Sequence, residues 1–137
     1  MSGIKDLTEL VRNMTPVLNE GEFVFTQVDN LSLVDREFTV FEFKETEGTT
    51  IVIERCKADE LGLNYNYIAS WITLKVNSSL EAIGLTAVFS TELSKYDISC
   101  NVVAGYSHDH IFVSKNTAQK AIKVLHELSE NYCNKID

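Results

Sequence analysis

His108, Asp109 and His110 place two imidazoles and a carboxylate in three consecutive residues of a 137-residue chain. If this stretch is extended, residues 108 and 110 share a face, so the two rings could chelate a metal, or Asp109 could orient one of them as a general base. Two imidazoles do not complete a metal site. The other candidate ligands are Cys100, which falls in phase with apolar residues, and His126, on a helical segment, so the motif reads more simply as a polar turn and no metal is expected. Catalysis needs a nucleophile or a second acid in a working arrangement. The chain has no Gly-x-Ser-x-Gly, no phosphate-binding glycine loop and no telling pair of carboxylates, so neither an enzyme activity nor a cofactor is expected. Gly84 also asks for a reason, because inside a helix it costs about 1 kcal/mol relative to alanine. Close packing of a helix on a sheet is the simpler reason; close approach of a ligand to exposed backbone amides is the functional one.

Composition narrows the classes. The formal charge is −8 and no Lys/Arg cluster forms a stripe. Nucleic acids and anionic membranes require a positive footprint, so neither is an expected partner, and Phe23, Phe25, Phe38, Phe41 and Phe43 read as core or subunit contact, not as a base-stacking platform. Cys56, Cys100 and Cys133 are odd in number and far apart, which suits reduced thiols in a cytoplasmic protein. With no basic region followed by an apolar run, and no stretch of about eighteen apolar residues, neither a signal peptide nor a membrane span is expected. Hydrophobic residues make up 45% of the chain, enough for a core without staples.

The elements follow from periodicity. Ile4, Leu7, Leu10, Val11 and Met14 form a helical stripe, with Ser2 as a possible cap and Pro16 as a stop. Strands are expected over residues 22–28, 38–44 and 50–53, with a long mobile connection over 29–37 and one helical turn over 57–61 closed by Gly62. Ile72, Leu74 and Val76 alternate with Thr73 and Lys75, and Ile98, Cys100, Val102 and Ala104 alternate with polar neighbours, so both are half-buried strands. Between them a helix ends near Tyr96. Ser78 and Glu81 have the spacing of a capping box at its start, and Gly84 suggests a start one turn later. A strand over 111–113 and a helix over 117–132, capped by Asn116 and striped by Ala118, Ala121, Ile122, Leu125 and Leu128, complete a βαββα series. This is most of a ferredoxin-like α+β fold.

With these residues in place, the run from Ile72 to Leu125 resembles an ACT domain. The carriers are Ile83-Gly84-Leu85-Thr86-Ala87 at the helix entry, the strand Ile98-Ser99-Cys100-Asn101-Val102-Val103, and Asp109-His110-Ile111-Phe112-Val113. The N-terminal half is similar to a degenerate ACT repeat, through the turn Glu45-Thr46-Glu47-Gly48 and the strand at 50–53. The resemblance implies two tandem βαββαβ repeats with antiparallel sheets and helices on one face, divided as 1–67 and 68–137. One departure is Asp97, where the family usually has glycine. The resemblance also implies a non-catalytic regulatory or sensor protein that binds a small molecule, an amino acid, at a repeat or subunit interface and forms a homo-oligomer. Its ligand residues, carried over position by position, are Asn77, Ser78, Ser79, Ile83 and Gly84 on the loop, Asn101 and Val102 on the strand, and Asp109 at the hairpin. The alternative is an oligomeric protein-interaction module with a vestigial pocket.

Overall fold

The computed structural model describes residues 6–132. Ser2, Ile4 and Cys133, assigned above as helix cap, stripe residue and thiol, lie outside the described residues. In chain order the elements are α1 (Leu7–Asn13), β1 (Thr15–Leu18), β2 (Phe23–Val28), β3 (Thr39–Glu45), β4 (Gly48–Glu54), α2 (Arg55–Glu60), β5 (Ile68–Lys75), α3 (Leu85–Lys95), β6 (Asn101–Ala104), β7 (Asp109–Ser114) and α4 (Ala118–Asn131). By packing, the chain divides into two compact units. One is Glu20–Ser70; the other joins the described parts of Met1–Asn19 and Trp71–Asp137.

In the unit Glu20–Ser70 the strand order is β5-β2-β4-β3, with the first residues of β5 at one edge. Val24, Ile51 and Ile53 lie on one face and are covered by Ala58 of α2 and by Val34. The connection over 29–37, expected to be mobile, is ordered into two 3-10 turns, Leu31–Leu33 and Arg36–Phe38. The cause is local: the carboxamide of Asn30 accepts the amide of Ser32, and the carboxylate of Asp35 accepts that of Glu37. Such side-chain bonds hold a turn where no helix forms.

The second unit has the order β1-β5-β7-β6. Taking β5, β6, β7 and β1 as first to fourth, this is the 4-1-3-2 order of a ferredoxin-like sandwich, and β2, β3, β4 and β5 give the same order in the other unit. Two tandem ferredoxin-like repeats are therefore present. The closing strand β1 was not foreseen: Thr15-Pro16-Val17-Leu18 is short and carries a proline, and its extended form is fixed by antiparallel pairing with β5, Pro16 opposite Leu74 and Leu18 opposite Ile72. Ile72 and Leu74 of β5 and Ile111 and Val113 of β7 point one way, into α1, α3 and α4.

Helix α3 begins at Leu85, not at a capping box on Ser78. Ser79, one residue later, uses its hydroxyl on the amide of Glu81, and its carbonyl on the amide of Ala82, which closes a turn before the helix starts. The helix is held by its stripe. Leu85, Phe89 and Leu93 are buried at about 1.5–3 kcal/mol each, more than the roughly 1 kcal/mol of a good cap. Asn116 likewise does not cap α4; it lies in a 3-10 turn, Lys115–Thr117, and Thr117 precedes the helix.

The end of α3 shows what Asp97 does in glycine's place. Its φ is +59°, and it is the one non-glycine with positive φ among the described residues. Asp97 N–H donates to Ser94 O and Ile98 N–H to Leu93 O, the two bonds of a Schellman closure, with Ile98 buried beyond it. Aspartate tolerates this left-handed conformation at a cost that glycine avoids. We expect Asp97→Gly to raise the free energy of unfolding by about 1 kcal/mol, seen as a higher urea midpoint with an unchanged slope.

Candidate functional site

The site is built from the end of β5 forward. After Val76 the chain leaves the sheet, Ser78 N–H donates back to Val76 O at 2.8 Å, and the Ser79 turn carries it to Gly84. Gly84 is left-handed, with φ +101°, and serves as the N-cap of α3, so no side chain caps this helix. The first amides of a helix have no partner within it, and here they open toward a crevice. A Cβ on Gly84 would sit 3.1 Å from Leu7 Cδ2 of α1. The glycine is thus packed closely against a neighbouring helix, α1, and it lines the crevice.

The crevice has a volume of about 240 Å³ and is lined by Ser78, Ser79, Gly84, Thr86, Ala104 and Asp109, with Leu80, Ala82 and Leu85 supplying apolar wall. Of the eight nominated residues it gathers Ser78, Ser79, Gly84 and Asp109. Asn77 precedes the lining, and Ile83 points away, 86% exposed. Asn101 pairs with Phe112, and Val102 with Ile111, so the two lie on opposite faces of β6. Asn101 is turned from the crevice and its amide reaches Phe112 O at 3.5 Å; Val102 shares the face of Ala104 without lining the space. Thr86 and Ala104 were missed. Ala104 could have been found, because it lies opposite Asp109 in the β6–β7 hairpin.

Asp109 brings the one charged side chain to the lining. Burial raises its carboxyl above the ordinary value, and neighbouring His110 partly offsets this. His110 itself belongs to the opposite face. Its Nδ1 lies 3.1 Å from Trp71 Nε1 and 3.1 Å from Thr73 Oγ1, and Asn19 Nδ2 donates to the same threonine oxygen at 2.9 Å. An indole N–H can only donate, so Nδ1 must be the acceptor and the neutral ring carries its proton on Nε2. Burial is the largest cause that lowers the pKa of His110; His108 adds to it and Asp109 opposes it. His108 Nδ1 is buried without a hydrogen-bond partner among the described residues. Alternation thus separates His110 from Asp109, and no group of three or more His, Cys, Asp or Glu among the described residues is placed to hold a metal. Cys100 packs against the core, and burial pushes its thiol up to about 11.

Two family models for the ACT domain match the chain, one over residues 2–70 and the other over 67–127. The chain belongs to the ACT-domain family and carries two such domains in tandem. No curated protein matches the sequence. Among solved structures, a Vibrio cholerae protein of unknown function, described as a possible transport protein, is 46% identical with a TM-score of 0.80, over 93% of this chain and 99% of that one. An Agrobacterium tumefaciens protein shares the fold at 15% identity and a TM-score of 0.70, over 85% of this chain and 89% of its own. The ligand-free regulatory subunit of aspartate kinase from Thermus thermophilus does so at 6% identity and a TM-score of 0.59, over 82% and 95%. No helix among the described residues is long and apolar enough to cross a membrane.

Gly84→Ala should destabilise the protein by about 1–2 kcal/mol in thermal or urea unfolding, and combining it with Leu7→Ala should relieve the contact but not the left-handed backbone. A second expectation concerns pH. His110 is held below its ordinary 6.5, so the unfolded chain binds more protons just under that pH, and stability should fall as pH drops from about 7.5 to about 5.5. Asp109, raised from 3.8, works in the opposite sense, its contribution falling as pH rises above that value. His110→Asn should flatten the pH 5.5–7.5 slope, measured as urea midpoints and as Trp71 fluorescence.

Proposed function

We propose that this chain is a non-catalytic regulatory or sensor module that binds an amino acid in the crevice beside Gly84. One observation carries the reading: the uncapped start of α3 and the carboxylate of Asp109 border the same 240 Å³ space. An α-carboxylate suits the first, where amides and the helix dipole favour an anion. An α-ammonium suits the second, and it would relieve the desolvated carboxylate. Membership of the ACT-domain family supports the same reading.

The mechanism is population shift. A ligand that contacts the 77–84 loop and the β6–β7 hairpin stabilises the arrangement in which both hold it, and it moves the equilibrium only by its difference in affinity for the two arrangements. The output passes to another protein or to self-assembly, and a cytoplasmic homo-oligomer, with the bound ligand stabilising its repeat or subunit arrangement, is the form proposed here. Two features favour the alternative of an interaction module with a vestigial pocket: Gly84 has a packing role against Leu7, and the short edge strand β6 carries no charge or proline.

Thermal unfolding against each of the twenty amino acids separates the two. A ligand at one hundred times its dissociation constant should add about 2.7 kcal/mol, a shift of several degrees. No shift with any of them would favour the interaction module.

A further inference from the structure

The crevice carries a charge pattern that goes further than the binding of an amino acid. We propose that Asp109 makes it selective by charge, so that it admits amino acids with neutral or basic side chains and rejects those whose side chain is a carboxylate. This rests on the ligand-binding reading above.

Asp109 stands among uncharged neighbours in the crevice. Its lining companions Ser78, Ser79 and Thr86 are neutral hydroxyl donors, and the remaining wall is apolar apart from the backbone at Gly84. Among the described residues no lysine, arginine or histidine lines the space. Lys75, His110 and Lys95 are kept from it by geometry. Lys75 stands in phase with Thr73, and Thr73 meets His110 on the face away from the helices, whereas Asp109 is in phase with Ile111 on the helix side. His110 is turned the same way as Thr73, and its Nδ1 is occupied in accepting from Trp71. Lys95 sits at the far end of α3, about 15 Å along the helix from its first turn, and is paired with Glu92.

The crevice therefore offers one feature that favours an anion, the helix start, and one fixed negative charge. A zwitterion satisfies both with its backbone groups. A second carboxylate on the ligand meets no cation among the described lining residues and lies within a few ångströms of Asp109 in a partly desolvated space, where repulsion between like charges is large. A neutral carboxamide of the same shape escapes that repulsion. A basic side chain escapes it as well and gains attraction. Burial of Asp109, which already raises its carboxyl, adds to the penalty for another anion.

Isothermal titration of the full chain with all twenty amino acids in about 0.15 M salt tests this without altering the protein. The expected result is that aspartate and glutamate each bind at least about tenfold more weakly than asparagine, glutamine and the tightest neutral or basic ligand. In Asp109→Asn, checked for folding by circular dichroism, the ratio between each acid and its amide should collapse toward one. Aspartate or glutamate binding as tightly as its amide, or a ratio that survives in Asp109→Asn, would overturn charge selection while leaving the sensor reading intact. Binding by none of the twenty would remove the sensor reading and this inference with it.

Discussion

Everything at the candidate site depends on the phase of two strands. Along β5, Ile72 and Leu74 enter the helical layer while Trp71 and Thr73 face away; along β7, Ile111 and Val113 enter it while His110 and Phe112 face away. The apolar residues set this phase, because burying four such side chains is worth several kcal/mol and a slip of one residue would expose them all. Asp109 and His110 have no choice in the matter. The carboxylate is carried to the mouth of α3 and the imidazole to Trp71, so two groups adjacent in sequence do unrelated work.

The same strand order occurs in both units, yet they differ where the first strand leaves the sheet. After β5, a turn closed by Ser79 and a left-handed Gly84 deliver the chain into a three-turn helix with free amides at its start. After β2, Asn30 and Asp35 take the neighbouring amides for themselves, and the chain settles into two short 3-10 turns. Asparagine and aspartate satisfy the backbone locally and remove the reason to propagate a helix. An uncapped helix start beside a strand-borne carboxylate is thus a property of the second unit, built by glycine where the first uses polar caps.

Much of this could be read from the sequence, and the exceptions share a cause. Period-two alternation at Ile72–Val76 and the helical stripe of α4 are repeated local signals, and Asp97 stood out only as the residue where the family usually has glycine. β1 was not visible, since a four-residue segment containing Pro16 has no periodicity of its own and is a strand only because β5 lies beside it. For the start of α3 the sequence left two positions open, because Ser78 and Glu81 mimic a capping box; the later start, at Gly84, is the one found, and Ser79 makes the bond that decides the turn. At the site, Ser78, Ser79, Gly84 and Asp109 converge because they lie on one loop and one hairpin of the same unit. Asn101 does not, because the register with Phe112 sends it to the other face. The Trp71–His110–Thr73–Asn19 network was missed altogether: it joins residues of two strands and a loop whose adjacency only the folded sheet establishes.

The space between the start of α3 and Asp109 is proposed to receive a small zwitterion. This is tested most directly by following backbone amides in a ¹H–¹⁵N NMR titration with a stabilising amino acid. The largest changes should fall on Gly84, Leu85, Thr86 and Asp109, with saturation at a single dissociation constant. Changes centred on Trp71 and His110, on the opposite face of the sheet, or no saturable change anywhere, would contradict it.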